Sequence, residues 1–335
     1  MKNWRYPAEW EAQAATWLAW PHNPLNWSHR IAEIEAFYHN LILQITEFQP
    51  VCLLVPPERR VSKSFILDWK KQKFPVIIYQ IPTDDIWIRD YGPFFMTNGT
   101  KVHCIKFEFN AWGQKFPPWK RDNQVPQHLA RTLGLDLTSF KPILEGGAVE
   151  FNGDGVGMTT LDCLVGEQRN PENNLEALIR LIKQAFNLGE LLILPRGLIG
   201  DHTDGHIDNL ARFVSSRHIV VNDTSDQNSP NYEILQEAQH ILRTWIDAQP
   251  ETWQLSTLPL PPQRILGDEI LPASYMNFIF VNDAMLIPQY NCSSDQIALD
   301  FYQKAYPQRK IVGVDCTLVI EEGGGLHCLS KQQPL

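Results

Sequence analysis

Between residues 93 and 288 the chain four times sets two short β-rich runs around a tight turn, adds a segment of helical period, and returns to an apolar strand. A tight turn forces antiparallel pairing, and a strand reached through a helix rejoins the sheet as a parallel neighbour. This pattern therefore selects an α/β chain built from mixed three-stranded units. The hairpins are expected over Pro93–Met96 and Lys101–Phe107, Ala148–Phe151 and Val156–Thr160, Asn209–Val214 and His218–Asn222, and Asn277–Val281 and Ala284–Pro288. The first turns through Asn98-Gly99, whose positive φ values suit a two-residue loop. The turns lie roughly 55, 62 and 67 residues apart, a repeat of topology without a repeat of letters.

One stripe of a helix over Asn173–Leu188 carries Leu175, Leu178, Ile179, Ile182, Ala185 and Phe186, and one over Tyr232–Trp245 carries Leu235, Ala238, Ile241, Leu242 and Trp245. Further helices are expected over Ser28–Phe48, Pro126–Leu133 and Gln296–Tyr306, and further strands over Val51–Val55, Leu191–Leu194 and Lys310–Val314. A fifth unit forms if Thr16–Trp20 pairs with Leu326–Ser330, joining the two ends of the chain. The expectation is a single α/β domain over residues 1–335, a closed ring of units around a central site. Periodicity alone leaves an α+β sandwich open.

Composition narrows the function. With 44% hydrophobic residues in 335, the chain can bury a large core and is not disordered. The net charge of −9, with Lys and Arg dispersed, argues against nucleic acid or an anionic membrane and favours a cationic ligand. No run approaches the ~18 apolar residues of a spanning helix, and the N-terminus lacks a signal peptide's apolar stretch, so a cytoplasmic location is expected. The six cysteines form no CxxC pair, which points to free thiols rather than a zinc ribbon or a disulfide scaffold.

Four segments concentrate polar and glycine residues at strand ends: 84–93, 144–147, 201–212 and 321–328. Read as an extended strand, His206 and Asp208 share a face and enter one cavity while Ile207 joins the core. Cys328, behind three glycines and beside His327, is the best nucleophile. Its ordinary pKa of about 8.5 requires cationic company before it ionises near neutrality. Cys52 and Cys104 sit in apolar runs and read as core. Asp90, Glu145 and Asp208 in one cavity would repel each other unless a cation bound there. A guanidinium fits, because its planar fork meets paired carboxylates and Trp87 could stack on its face. Asp84 reads equally well as part of a solvated turn. A metal site of His202, Asp204, His206 and Asp208 is the competing reading, but it needs an extended stretch that Gly205 disfavours.

The motifs Trp10-Glu-Ala-Gln-Ala-Ala-Thr-Trp-Leu-Ala-Trp-Pro-His22, Trp87-Ile-Arg-Asp-Tyr-Gly-Pro93, Phe109-Asn-Ala-Trp-Gly113, Glu145-Gly-Gly147, Thr203-Asp-Gly-His-Ile-Asp-Asn-Leu-Ala-Arg212, Leu271-Pro-Ala-Ser-Tyr275 and Gly323-Gly-Gly-Leu-His-Cys328 follow one another along the chain. In this order they resemble the agmatine deiminase family, also called the porphyromonas-type peptidylarginine deiminase family, among the guanidino-group-modifying enzymes. The resemblance implies a five-bladed pseudo-symmetric α/β propeller of the pentein type. It implies hydrolysis of agmatine to N-carbamoylputrescine and ammonia, a reaction of putrescine biosynthesis, through an amidino-cysteine intermediate. Cys328 would be the nucleophile and His206 the general acid and base, with Glu145 orienting it. Asp90 and Asp208 would hold the guanidinium, and Asp85, Trp87 and Gly325 would complete the substrate-binding set. No metal or organic cofactor is implied. The partner is a small cationic guanidine rather than nucleic acid or membrane, and a homo-oligomer is compatible with the sequence. Other guanidines, such as free or peptidyl arginine, and amidino transfer are the alternative activities. The chain departs from the family pattern at His202, commonly Asp, and at Glu322, commonly Gly.

Overall fold

The structure, a computed structural model, describes residues 4–335 apart from residues 28, 167, 172 and 173. Strands β1 (Gln13–Ala19), β2 (Val51–Val55) and β3 (Val76–Gln80) open the chain. Three units follow. They comprise β4 (Phe94–Thr97), β5 (Val102–Glu108) and β6 (Leu137–Ile143); β7 (Val149–Phe151), β8 (Val156–Thr160) and β9 (Glu190–Leu194); and β10 (Ala211–Ser215), β11 (His218–Asp223) and β12 (Gln254–Pro259). A small ribbon of β13 (Ile265–Leu266) and β14 (Glu269–Ile270) precedes the last unit, β15 (Ile279–Val281), β16 (Ala284–Gln289) and β17 (Lys310–Asp315). Strand β18 (Ser330–Pro334) ends the fold.

In all four internal units the hairpin's second strand lies central, antiparallel to the first and parallel to the third. The four expected hairpins are all present, within a few residues of their expected bounds. The chain ends also pair: β1 runs antiparallel to β18, with Leu18 opposite Ser330, and parallel to β2, which is parallel to β3. Two expectations are corrected. The C-terminal strand starts at Ser330, because Leu326–Leu329 forms a single helical turn. His206 and Asp208 do not share an extended strand, because Ile207–Leu210 is also a helical turn.

The expected helices are present as Ile31–Ile45, Val125–Leu133, Leu175–Phe186, Tyr232–Asp247 and Ser294–Ala305. Residues 28 and 173, where two of them were expected to begin, lie outside the described residues. The Leu175–Phe186 helix starts where Asn174 accepts from the amides of Glu176 and Ala177, and it ends at Asn187, whose φ of 56° stops it in the left-handed region. Its buried side chains, Leu178, Ile182, Ala185 and Phe186, belong to the predicted stripe, whose Leu175 and Ile179 are only half-buried. No helix among the described residues is long and apolar enough to cross a membrane.

A short turn stands immediately before the first strand of each unit. Ile88–Tyr91 precedes β4, Gly146–Ala148 precedes β7, Ile207–Leu210 precedes β10, Leu326–Leu329 precedes β18, and a turn closed by the Asn277 amide on the Ser274 carbonyl precedes β15. These turns carry the polar side chains described next.

Candidate active site

The Ile88–Tyr91 turn buries all four of its side chains. Asp90 survives there by hydrogen bonding: its Oδ1 accepts from the Gly147 amide at 2.8 Å and its Oδ2 from the Trp112 indole N–H at 3.0 Å. Trp112 arrives through a strained backbone, with Ala111, Trp112, Gly113 and Gln114 all at positive φ (54°, 54°, 81° and 64°). Asn110 pins this loop by accepting from the Gly113 amide at 2.9 Å. Burial pushes the Asp90 carboxyl up to about 7, against its bond from Gly147 and with help from Glu145.

His206 is delivered by a loop organised around Asp201. That carboxylate accepts from the Thr203 amide at 2.9 Å, the His206 amide at 3.1 Å and the Asn209 side chain at 2.9 Å. The loop turns at Asp204 and Gly205, with φ of 72° and 104°. The His206 ring is fully buried, and among the described residues neither of its nitrogens has a hydrogen-bond partner. Burial, then the nearby Arg169 and Lys115 charges, hold it well below the ordinary histidine range, so it is a neutral imidazole.

Asp208, in the turn that follows, places Oδ2 2.6 Å from His327 Nδ1, while Oδ1 has no hydrogen-bond partner among the described residues. Burial and the Asp90 charge push its carboxyl well above the usual range. The three groups converge. A methyl at Gly147 would lie 2.6 Å from His206 Nδ1, 2.8 Å from Asp208 Oδ2 and 2.9 Å from Asp90 Oδ1.

Cys328 sits in the Leu326–Leu329 turn, its Sγ 3.9 Å from Asp208 Oδ2. Asn277 holds this turn: its Oδ1 accepts from the His327 amide at 2.9 Å, and its Nδ2 reaches Asn209 Oδ1 at 2.8 Å and Cys328 Sγ at 3.3 Å. Gly325 begins the turn and has no room for a side chain, since a Cβ would lie 2.5 Å from Asn277 Oδ1. Gly324 likewise lets the Trp87 ring approach. Burial, Asp208 and Asp90 push the Cys328 thiol well above its ordinary value, so it is uncharged when the cavity is empty.

Cys328, Asp90, Trp87, Trp112 and Asp85 line a cavity of about 370 Å³ whose other walls include Glu269, Glu321 and Glu322. The only Lys or Arg among the described lining residues is Lys115, which pairs with Asp204. Asp85 accepts from Asn26 Nδ2 and the Ile86 amide, both at 2.7 Å, and burial pushes it up to about 7. Asp84 is not a solvated turn acid: it accepts from the Arg121 amide at 2.9 Å, and its own amide donates to Asp122 at 2.7 Å.

Glu145 is fully buried and binds Arg169 Nε at 2.7 Å. No hydrogen bond joins it to His206 among the described residues. Its link to His206 runs through Arg169, which also binds Asp204 and the Thr203 carbonyl, both at 2.6 Å, on the His206 loop. The metal reading does not assemble, because Asp204 is taken by Arg169 and Lys115. Glu9, Glu150 and His327 bring ligand atoms within 4.8 Å of one another, but Arg212 already occupies the cation's place between the two carboxylates.

Asn277, Trp112, Arg169 and Gly147 escaped the sequence reading as site residues. Trp112 and Gly147 lie in quoted motifs and were the recoverable ones. Asn277 and Arg169 act across long separations that no local pattern reveals.

Similarity to known proteins bears on this geometry. Residues 5–334 match the Porphyromonas-type peptidyl-arginine deiminase family. The agmatine deiminase of Ectopseudomonas mendocina is 30% identical over 357 aligned positions, covering 98% of this chain and 95% of that protein. A Cys-to-Ser variant of the C. jejuni agmatine deiminase with substrate bound superposes with a TM-score of 0.89 at 32% identity, covering 98% and 96% of the two chains. The agmatine deiminase of Enterococcus faecalis gives a TM-score of 0.90 at 30% identity, covering 99% and 96%.

Proposed function

The chain belongs to the Porphyromonas-type peptidyl-arginine deiminase family, and on that premise we propose that its cavity hydrolyses agmatine to N-carbamoylputrescine and ammonia. The observation that carries the reading is the convergence of His206, Asp208 and Asp90 around Gly147, with the Cys328 sulfur 3.9 Å from one of these carboxylates. Empty, the site holds a neutral thiol, a neutral imidazole and carboxyls with raised pKa values, and a bound guanidinium would favour the thiolate and the carboxylates.

With the guanidinium between Asp90 and Asp208, its positive charge lowers the Cys328 pKa and His206 takes the thiol proton. The thiolate attacks the guanidinium carbon. The tetrahedral adduct collapses as His206 protonates the departing nitrogen, giving ammonia and an amidino-thioether on Cys328. His206 then deprotonates a water that attacks the same carbon, and the carbon–sulfur bond breaks to free the ureido product and the thiol. Glu145 acts through Arg169 to hold the His206 loop, and Trp87 covers the guanidinium plane. Asp85 and the acidic rim receive the cationic amine tail. A free arginine substrate would need a cation for its carboxylate, and Lys115 is already paired, which favours agmatine.

The same reading takes the five mixed sheets as blades of one five-bladed propeller domain, working in the cytoplasm on a small cation and on neither nucleic acid nor membrane. Ammonia release across a panel of guanidines tests it, with agmatine expected to lead. Cys328→Ser should bind agmatine without turnover, and Asp90→Ala should lose binding as well. Turnover in either variant, or a purified chain that releases no ammonia from agmatine, would overturn it.

A further inference from the structure

His327 precedes the nucleophile in a one-turn helix, so its ring leaves on another side from the Cys328 sulfur and points into the protein. There it bridges two acids: Nε2 lies 2.6 Å from Glu9 Oε1, and Nδ1 lies 2.6 Å from Asp208 Oδ2. Glu9 also accepts from Arg212 Nη2 at 2.9 Å and pairs with Arg89 Nη1 at 3.0 Å. Against its burial, His327, Arg89 and Arg212 hold Glu9 well below the usual carboxylate range. A carboxylate in that company only accepts, so His327 Nε2 carries a hydrogen. The Asp208 side of the ring is the variable one. Its single short bond can hold the proton on the carboxyl or on Nδ1.

We propose that Glu9, His327 and Asp208 form a proton relay in which His327 receives the Asp208 proton as the substrate guanidinium docks, making His327 a positioning residue for the reaction. The relay rests on the reading that Asp208 holds the guanidinium. In the empty cavity, burial and Asp90 favour the protonated acid, while burial, Arg212 and Arg89 keep His327 neutral. A guanidinium beside Asp208 reverses the preference. The Oδ2–H bond breaks, Nδ1–H forms, and the resulting imidazolium lies between the Glu9 and Asp208 carboxylates. Asp208 thereby meets its ligand as an anion although it is sealed from solvent, with 0% exposure. The charged and titratable groups facing His327 are Glu9, Asp208, Glu150, Arg89 and Arg212. The two arginines oppose the imidazolium, which is why both carboxylates are needed.

The Cys328→Ser chain allows the proton to be counted without turnover. Calorimetric titration with agmatine in buffers of differing ionisation enthalpy, at about pH 9 where Asp85 and Asp90 are ionised, should find roughly no proton released. His327→Gln in the same background keeps a hydrogen bond to Asp208 but cannot take its proton. About one proton per agmatine should then reach the buffer, and affinity should fall about tenfold. Equal proton counts with and without His327 would overturn the relay. NMR of [15N]histidine-labelled Cys328→Ser protein decides the matter even if His327→Gln does not fold. A ring with bare Nδ1 and protonated Nε2 should become doubly protonated on adding agmatine, and rings that all keep their protonation state refute the relay. Adding Asp208→Asn separates the two claims. Undiminished agmatine binding would refute Asp208 as the guanidinium ligand, whereas weakened binding with a proton count indifferent to His327 refutes the relay alone.

Discussion

A single hydrogen at the Gly147 α-carbon is all that the space between His206, Asp208 and Asp90 accommodates. The atoms a methyl would meet there are side-chain tips, which can shift by tenths of an ångström and so lose their mutual aim. Gly147→Ala should therefore fold with a nearly unchanged circular dichroism spectrum yet lose about 100-fold or more in kcat/KM, as misplaced catalytic groups do. Gly146→Ala is the control. Its Cβ would lie 1.9 Å from the Arg89 carbonyl oxygen, a backbone clash that should prevent folding. Asp85 and Asp90 set the pH dependence, since burial raises both to about 7. On the proposed function their anions bind the cation, so KM for agmatine should rise as pH falls through about 7. The linkage to stability has the opposite sign. Carboxyls with raised pKa favour the empty fold most below their unfolded value of about 4, and that contribution is lost as pH rises through the folded value. The rise in Tm on adding agmatine should accordingly be larger at about pH 8 than at about pH 6, and a larger rise at the lower pH would contradict it. Cys328, His206, Asp208, Asp90 and Glu145 were legible as polar residues crowded at strand ends beside glycines. Asn277 was not, because its worth lies in hydrogen bonds to Asn209, His327 and Cys328, all distant in sequence.

At the scale of elements, the hairpin periodicity was legible because apolar runs and turn residues are local. The short turns ahead of each unit were not, because a stretch such as His206-Ile207-Asp208 alternates polar and apolar as a strand does. Ile207 is buried as the alternation required, but it is placed there by a helical turn. The tight turn matters chemically, since it lets His206 and Asp208 meet at one point over Gly147 instead of standing a strand's repeat apart. Asn277 occupies the same place ahead of β15, and its amide ties the Asp208 turn, through Asn209, to the Cys328 turn. Asn277→Ala removes the acceptor of a buried amide and a donor to the sulfur, which should cost roughly 1–3 kcal/mol in urea unfolding. It should lower kcat by more than the stability loss explains, because the Cys328 turn loses its anchor. Asn277→Asp keeps the acceptor and should recover much of the stability but little of the rate, since a carboxylate facing Cys328 raises the thiol pKa further.

For the whole molecule, the question is what binds the separate sheets into one body, and Arg212 of β10 gives a concrete answer. Its guanidinium donates to the Met276 and Phe278 carbonyls ahead of and beside β15 at 3.0 and 3.1 Å, and to Glu9 ahead of β1 at 2.9 Å. It pairs with Glu150 of β7 at 2.8 Å. It also lies 4.4 Å over the Phe278 ring. Through Glu9 the network reaches Arg89, which donates to the His327 carbonyl at 3.0 Å and to Gln332 of β18 at 2.7 Å. One cation thus joins three units directly and the rest through its carboxylate partner. A buried ion pair contributes little over an apolar replacement of the whole set, but removing one member leaves the others charged and unpaired. Arg212→Met should therefore cost about 3–5 kcal/mol by urea unfolding. Lysine has one ammonium where the site presents two carboxylates and two carbonyls, so Arg212→Lys should recover less than half of that loss. Glu150→Gln added to Arg212→Met removes one of the stranded charges and should be less destabilising than the sum of the single variants. Strict additivity would mean that the cluster is a set of independent contacts rather than the joint of the fold.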